Sequence, residues 1–201
     1  MRIFTALSVL WFLAGQPLTA QESGELPFYL PTPDGWRTET IPFPLDFAPE
    51  LDYEGLEELR FSPGMFIEMK VDFWSYAFVW WVPEDTVLDA ERLQTDLEIY
   101  FRGLTRAVAE TREFDPGEPD FEVQLSSVES SPPDQASWEG TVRTFDVFTT
   151  RRPIRLRTRI DILRCPEQGR LAAFFQFSPQ PARNRIWEVM EDMRQGFRCE
   201  P

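Results

Sequence analysis

The sequence predicts an α+β domain: an antiparallel β-sheet of about six or seven strands flanked by two main helices. Three observations carry this expectation. Runs of alternating or continuous apolar residues, bounded by Gly, Pro, Ser and Asp, recur along the chain as strands joined by turns do. Only two segments, about 89–111 and 182–195, place apolar residues at helical spacing. Near the C-terminus, strand-like segments follow one another across connections so short that antiparallel pairing is the natural topology.

In chain order, Met1 and Arg2 make a positive start, Ile3 to Gly15 is apolar, and Leu18-Thr19-Ala20 ends in a small residue suited to cleavage. Residues 1–20 therefore read as an export signal. The apolar run is shorter than the ~20 residues that span a bilayer, and no Cys follows the cut to take a lipid. A soluble mature chain beginning near Gln21 is expected, periplasmic or secreted, with no transmembrane segment. Residues 21–35 are Pro-rich and polar and read as a flexible leader, and 36–201 as a single α+β domain.

Within the domain, Arg37 to Phe47 alternates enough for a strand that Pro42 and Pro44 push to a sheet edge or a bulge. An acidic loop from Asp46 leads to a short strand, Glu58 to Phe61, ending at the turn signal Ser62-Pro63-Gly64. The strongest strand runs from about Phe66 to Val82. Alternation puts Trp74, Tyr76, Phe78 and Trp80 on one face and Phe73, Ser75, Ala77, Val79 and Trp81 on the other. Because both faces are apolar, this strand belongs mid-sheet, covered on both sides or left with one aromatic face for a ligand.

Asp89 is placed to cap a helix reaching Thr111, with Leu93, Leu97, Tyr100, Phe101, Leu104, Ala107 and Val108 as its apolar stripe and Glu91, Arg92, Asp96 and Arg106 pointing elsewhere. Gly103, mid-helix, costs ~1 kcal/mol relative to Ala, a cost usually met where a neighbour packs closely. Phe121, Val123 and Leu125 alternate with polar residues as a half-buried strand. Three more follow at about Ser137–Thr149, Ile154–Arg164 and Arg170–Phe177. A last helix, about Ala182 to Gln195, carries Ile186, Trp187, Val189, Met190 and Met193 inward and stops at Gly196.

Composition narrows the chemistry. The chain has no histidine, which removes Ser-His-Asp and Cys-His catalysis, His-containing zinc sites and the commonest neutral-pH base. Its net charge of −14 disfavours nucleic acid and anionic lipid as partners, since both are repelled at long range, though a local patch could still bind a polyanion. The sequence points to no cofactor: there is no Gly-rich phosphate loop, and no Ser stands three residues before Lys70, the single lysine. The two cysteines, Cys165 and Cys199, pair by default in an oxidising compartment, a bridge contributing up to ~3.8 kcal/mol in the chain-entropy model.

The C-terminal part, with an aromatic strand Leu171–Phe177, a turn at Ser178–Pro181 and an amphipathic helix closing on Met193-Arg194-Gln195-Gly196-Phe197-Arg198, resembles PsbP/Mog1-like domains, as does the entry Pro33-Asp34-Gly35-Trp36. The resemblance implies a small antiparallel sheet flanked by helices, used for binding or assembly in secreted and lipoprotein settings. It carries no catalytic motif.

Four candidate sites remain. The row Trp74, Tyr76, Phe78 and Trp80 is either core beneath a helix, the commoner use of such a row, or a pocket for a sugar or apolar ligand. On the strand after the hairpin, Arg155, Arg157 and Arg159 share one face, with Arg143, Arg151 and Arg152 nearby. That block is net positive in an acidic chain. It suits phosphate, sulfate or carboxylate recognition, an acidic protein partner, or simple pairing with acids on adjacent strands. The acidic loops around Asp115, Glu118, Asp120 and around Asp46, Glu50, Asp52, Glu54 offer oxygen ligands without the EF-hand spacing. Finally, a carboxylate pair could hydrolyse glycosides without histidine.

The reading that results is an exported, non-enzymatic binding or assembly module of the cell envelope, with a protein partner or small envelope ligand. The alternative is a carboxylate-based hydrolase acting on envelope polysaccharide.

Overall fold

The computed structural model describes residues 26–130 and 132–201. Residues 1–20, read from the sequence as an export signal, and the start of the expected leader lie outside the described residues. The elements are β1 (Arg37–Pro42), β2 (Leu56–Phe61), β3 (Tyr76–Pro83), α1 (Ala90–Thr111), β4 (Glu122–Val128), β5 (Asp134–Asp146), β6 (Arg152–Cys165), β7 (Arg170–Ser178) and α2 (Ile186–Gly196). The strands form one seven-stranded sheet in the order β1-β2-β3-β7-β6-β5-β4. Every neighbouring pair is antiparallel, so the fold is α+β as the pattern of elements predicts.

The topology follows from where apolar residues fall. β1, β2 and β3 form one meander, and α1 then carries the chain to the far edge. The meander β4 to β7 returns and closes against β3. The central pair, β3 and β7, is buried on both faces, as strands with continuous apolar runs must be. On one face Tyr76, Phe78, Trp80, Phe175 and Phe177 pack against Leu93, Leu97, Tyr100 and Phe101 of α1. On the other, Ala77, Val79, Trp81, Ala172 and Phe174 pack against Ile186, Trp187, Met190 and Met193 of α2.

Both helices follow their stripes. Asp89 caps α1, accepting from Arg92 N at 2.9 Å. Gly103 lets the chain before β2 press onto α1, since a Cβ there would sit 2.0 Å from Phe47 O. Asp96 departs from the expected outward position: it is buried because Tyr53 Oη and Arg92 both donate to its carboxylate. Cys165, at the end of β6, is bonded to Cys199 with a Cα–Cα distance of 5.5 Å.

Several boundaries differ from the sequence expectation. The strong strand begins at Tyr76, not Phe66. Residues 62–75 form a folded loop in which Gly64 N donates to Asp72 Oδ2 (2.8 Å) and Trp74 N to Met65 O (3.1 Å), and Trp74 has φ 51°. β5 ends at Asp146 because its carboxylate accepts from Phe148 N, Thr149 N and Thr150 N, turning the chain into the hairpin. α2 begins four residues late, where Asn184 Oδ1 accepts from Ile186 N. Part of the stretch read as a flexible leader is packed. Phe28 and Leu30 are buried, and Tyr29 exchanges both backbone hydrogen bonds with Arg198 at 3.0 Å.

Candidate functional site

The structure separates the two surfaces that the sequence offered. The row Trp74, Tyr76, Phe78 and Trp80 is sealed beneath α1, each side chain at 2% exposure or less. Phe175 lies 4.6 Å from both Phe78, on which it stacks, and Trp80, to which it is tilted, and Tyr100 lies 5.6 Å from Phe78. Trp74 is off the strand, yet its ring still reaches Tyr76 and Phe148. These residues are core and leave no open aromatic face for a ligand.

One polar feature in this core had no sequence signal. Glu57 on β2 points to the α1 side, fully buried, and Trp80 Nε1 donates to its Oε1 at 3.2 Å. Loss of water pushes its pKa up to about 8, so at neutral pH the acid is largely protonated. A charged residue between Leu56 and Leu59 reads as surface on any hydropathy scale. Its in-register partner Trp80 and Tyr100 of α1, both distant in the chain, give it a reason to be inside.

The arginine face is open. α2 packs over β3 and β7, and its Arg194 pairs with Asp134 and, at 3.7 Å, with Asp161, marking the border of the covered half. Beyond that border no helix among the described residues covers one face of β4, β5 and β6. Strand alternation and register place Glu122, Gln124 and Ser126 of β4 there, beside Glu139, Thr141 and Arg143 of β5 and Arg155, Arg157 and Arg159 of β6.

The three predicted arginines divide. Arg159 is half-buried, pairs with Glu139 at 3.1 Å and lies 5.2 Å over the Trp187 ring, which is the cross-strand pairing that a surplus of acids would produce. Arg155 and Arg157 are exposed, and no carboxylate among the described residues comes within ion-pair distance of either. Arg155 stands directly opposite Arg143, an arrangement of like charges that costs stability. Arg143 is offset by Asp120 (2.9 Å) and Glu122. Together Glu122, Gln124, Thr141, Arg143 and Arg155 line a hollow of about 200 Å³. Its donors suit an anionic oxygen group, with Gln124 and Thr141 able to complete the hydrogen bonds.

The remaining candidates have weaker geometry. Asp115 accepts from Gly117 N within its own loop, Asp120 is engaged by Arg143, and among the described residues no three acids converge to hold a metal ion. A larger groove of about 640 Å³ lies between the 46–50 segment and α1, with Asp46, Glu50 and Glu110 beside Arg102 and Arg106. No tryptophan lines it, so the acid pair beside exposed tryptophan that a polysaccharide hydrolase would show is not assembled there. Among the described residues no helix is long and apolar enough to cross a membrane.

The chain matches no family model and no curated protein. Among solved structures it is similar to LpqN of Mycobacterium tuberculosis, described as involved in cell envelope biogenesis, with a TM-score of 0.32 and 11% identity over 84% of this chain and 78% of that one, a likeness too slight to carry an argument.

Proposed function

We propose that this protein is an exported, non-enzymatic binding module of the cell envelope whose uncovered β4–β5–β6 face holds a carboxylate- or phosphate-bearing partner. The observation that carries the reading is the pair Arg143 and Arg155, opposed in register over a polar hollow, with Arg155 and Arg157 unpaired with any acid among the described residues. A second anion entering there would relieve the like-charge pairing and accept bidentate bonds from the free guanidinium groups. The export signal and the resemblance to PsbP/Mog1-like binding domains support the same reading. Its surroundings set the limits of affinity: the strongly acidic remainder of the chain repels an extended polyanion, so the partner presents a local anionic group.

Replacing Arg155 and Arg157 by Ala tests this. Titration with a short polyglutamate peptide and with inorganic phosphate should show binding by the parent that weakens ~10-fold or more in the double variant, since each charge-assisted bond contributes roughly 1.5–3 kcal/mol. The thermal midpoint should hardly change, because both side chains are exposed. Equal binding by parent and variant would sink the proposal.

A further inference from the structure

The loop 62–75 between β2 and β3 is folded, and what it displays is apolar. Its base is anchored by buried Met65, Phe73 and Trp74 and by Ser62 Oγ, which donates to Asp72 O at 2.7 Å. Within the loop, Ile67 N donates to Gly64 O and Lys70 N to Ile67 O, both at 2.9 Å. With the backbone so held, Ile67, Met69 and Val71 project outward at 48%, 90% and 73% exposure. Single exposed apolar residues are ordinary, but three on one fixed turn form a patch of the kind that marks a contact surface.

Cations are brought to the loop from separate elements. Lys70, the one lysine of the chain, stands between Met69 and Val71. Thr149 Oγ1 donates to Phe66 O at 3.3 Å, bringing in the β5–β6 hairpin with Arg151 and Arg152. Asn184 Nδ2 donates to Val71 O at 3.3 Å, bringing in the loop before α2 with Arg183 and Arg185. These four arginines and Lys70 are exposed, Arg151 with its guanidinium 4.2 Å over the Phe114 ring. The acids on the same three elements are Glu68, Asp72 and Asp146, and the last two are turned to backbone N–H groups. An apolar tip inside a cationic collar matches the layering of an anionic bilayer, where phosphates lie above acyl chains and lysine reaches from one layer to the other.

We propose that the 62–75 loop docks this protein onto an anionic phospholipid surface, with Ile67, Met69 and Val71 at the headgroup–acyl boundary and Lys70, Arg151, Arg152, Arg183 and Arg185 against the phosphates. Charge complementarity selects an anionic surface over a groove on another protein, because the cations come from three separate elements joined at Phe66 and Val71. The rest of the molecule, strongly negative, is repelled by the same surface, so only this end approaches it. The contact is peripheral and reversible, as so small an apolar insertion requires. It goes beyond the sheet-face reading and uses none of Arg143, Arg155 or Arg157.

Co-sedimentation of the purified protein with vesicles of phosphatidylglycerol and phosphatidylethanolamine, against vesicles of phosphatidylcholine alone, decides it. The parent should sediment with the anionic vesicles, be released by high salt and leave phosphatidylcholine unbound. The variant Ile67→Ser, Met69→Ser, Val71→Ser should lose binding on the order of tenfold or more. Lys70→Glu with Arg183→Glu should lose at least as much, at roughly fivefold per charge near the surface. All five positions are exposed, so both variants should melt with the parent. Absence of vesicle binding by the parent, equal binding by the serine variant, or equal binding to phosphatidylcholine would each overturn the proposal. So would a dimer in sedimentation equilibrium that the serine variant abolishes, since that would assign the tip to a second copy of the chain.

Discussion

At the scale of single residues, charges are placed where the local sequence would not put them, and their partners explain why. Glu57 and Asp96 sit on the α1 side of the sheet, while Glu58 and Arg60 pair with each other on the α2 side, where Arg60 Nη2 also donates to Leu30 O at 3.1 Å. The four are buried. None of these positions was legible in sequence, because burial of a charge turns on partners distant in the chain: Trp80 for Glu57, Tyr53 for Asp96, and Leu30 for the Glu58–Arg60 pair. Glu57 makes a definite prediction about pH. Its folded pKa of about 8 lies above the usual 4.5, so between those values the native state holds a proton that the unfolded chain has released. Stability therefore falls as pH rises through that window and levels above it. Glu57→Gln, which keeps an acceptor for Trp80, removes the penalty. Denaturant unfolding should show the variant more stable at neutral pH, by about 3 kcal/mol, and equal to the parent near pH 4. Parallel pH profiles would show that Glu57 is charged in the fold.

At the scale of elements, helices and central strands were legible, and the loops between them were not. α1 runs as expected from the Asp89 cap to Thr111, because its cap, its stripe and its length agree. The stretch 66–74 misled for a physical reason. Its apolar residues continue the alternation of the strand that follows, but hydrogen bonds from Gly64 and Trp74 close it into a turn. Edge protection was equally hidden: Gln94 and Glu98 of α1 accept from Leu125 N (2.8 Å) and Val123 N (3.3 Å), occupying donors that an edge strand would otherwise offer to another chain. Gly103 was legible as a site of close packing, and its test is Gly103→Ala. Helix propensity alone favours Ala by ~1 kcal/mol. The Cβ, however, would meet the backbone of Phe47, so a net loss of roughly 1–3 kcal/mol is expected in chemical denaturation. A more stable variant would mean that the 46–48 segment moves aside freely.

At the scale of the whole molecule, the antiparallel α+β class, the central place of β3 and the Cys165–Cys199 pair were legible, whereas strand order was not, since nothing local says that β7 inserts beside β3. That insertion places the disulfide, with its sequence separation of 34, between the end of β6 and the tail beyond α2. The tail in turn holds residues 28–30 through the Tyr29–Arg198 pairing. Reduction should lower stability by up to ~3.8 kcal/mol. In hydrogen exchange it should expose the amides of Tyr29 and Arg198 before those of β3, and simultaneous exposure of both would show that the bridge holds the whole sheet. The same topology leaves half of one sheet face without a helix among the described residues, and on that half the arginines lie. The most direct measurement is therefore a residue-resolved NMR titration with inorganic phosphate. The account predicts shifts gathered at Gln124, Thr141, Arg143, Arg155 and Arg157, and a response confined to other surfaces, or none at all, would contradict it.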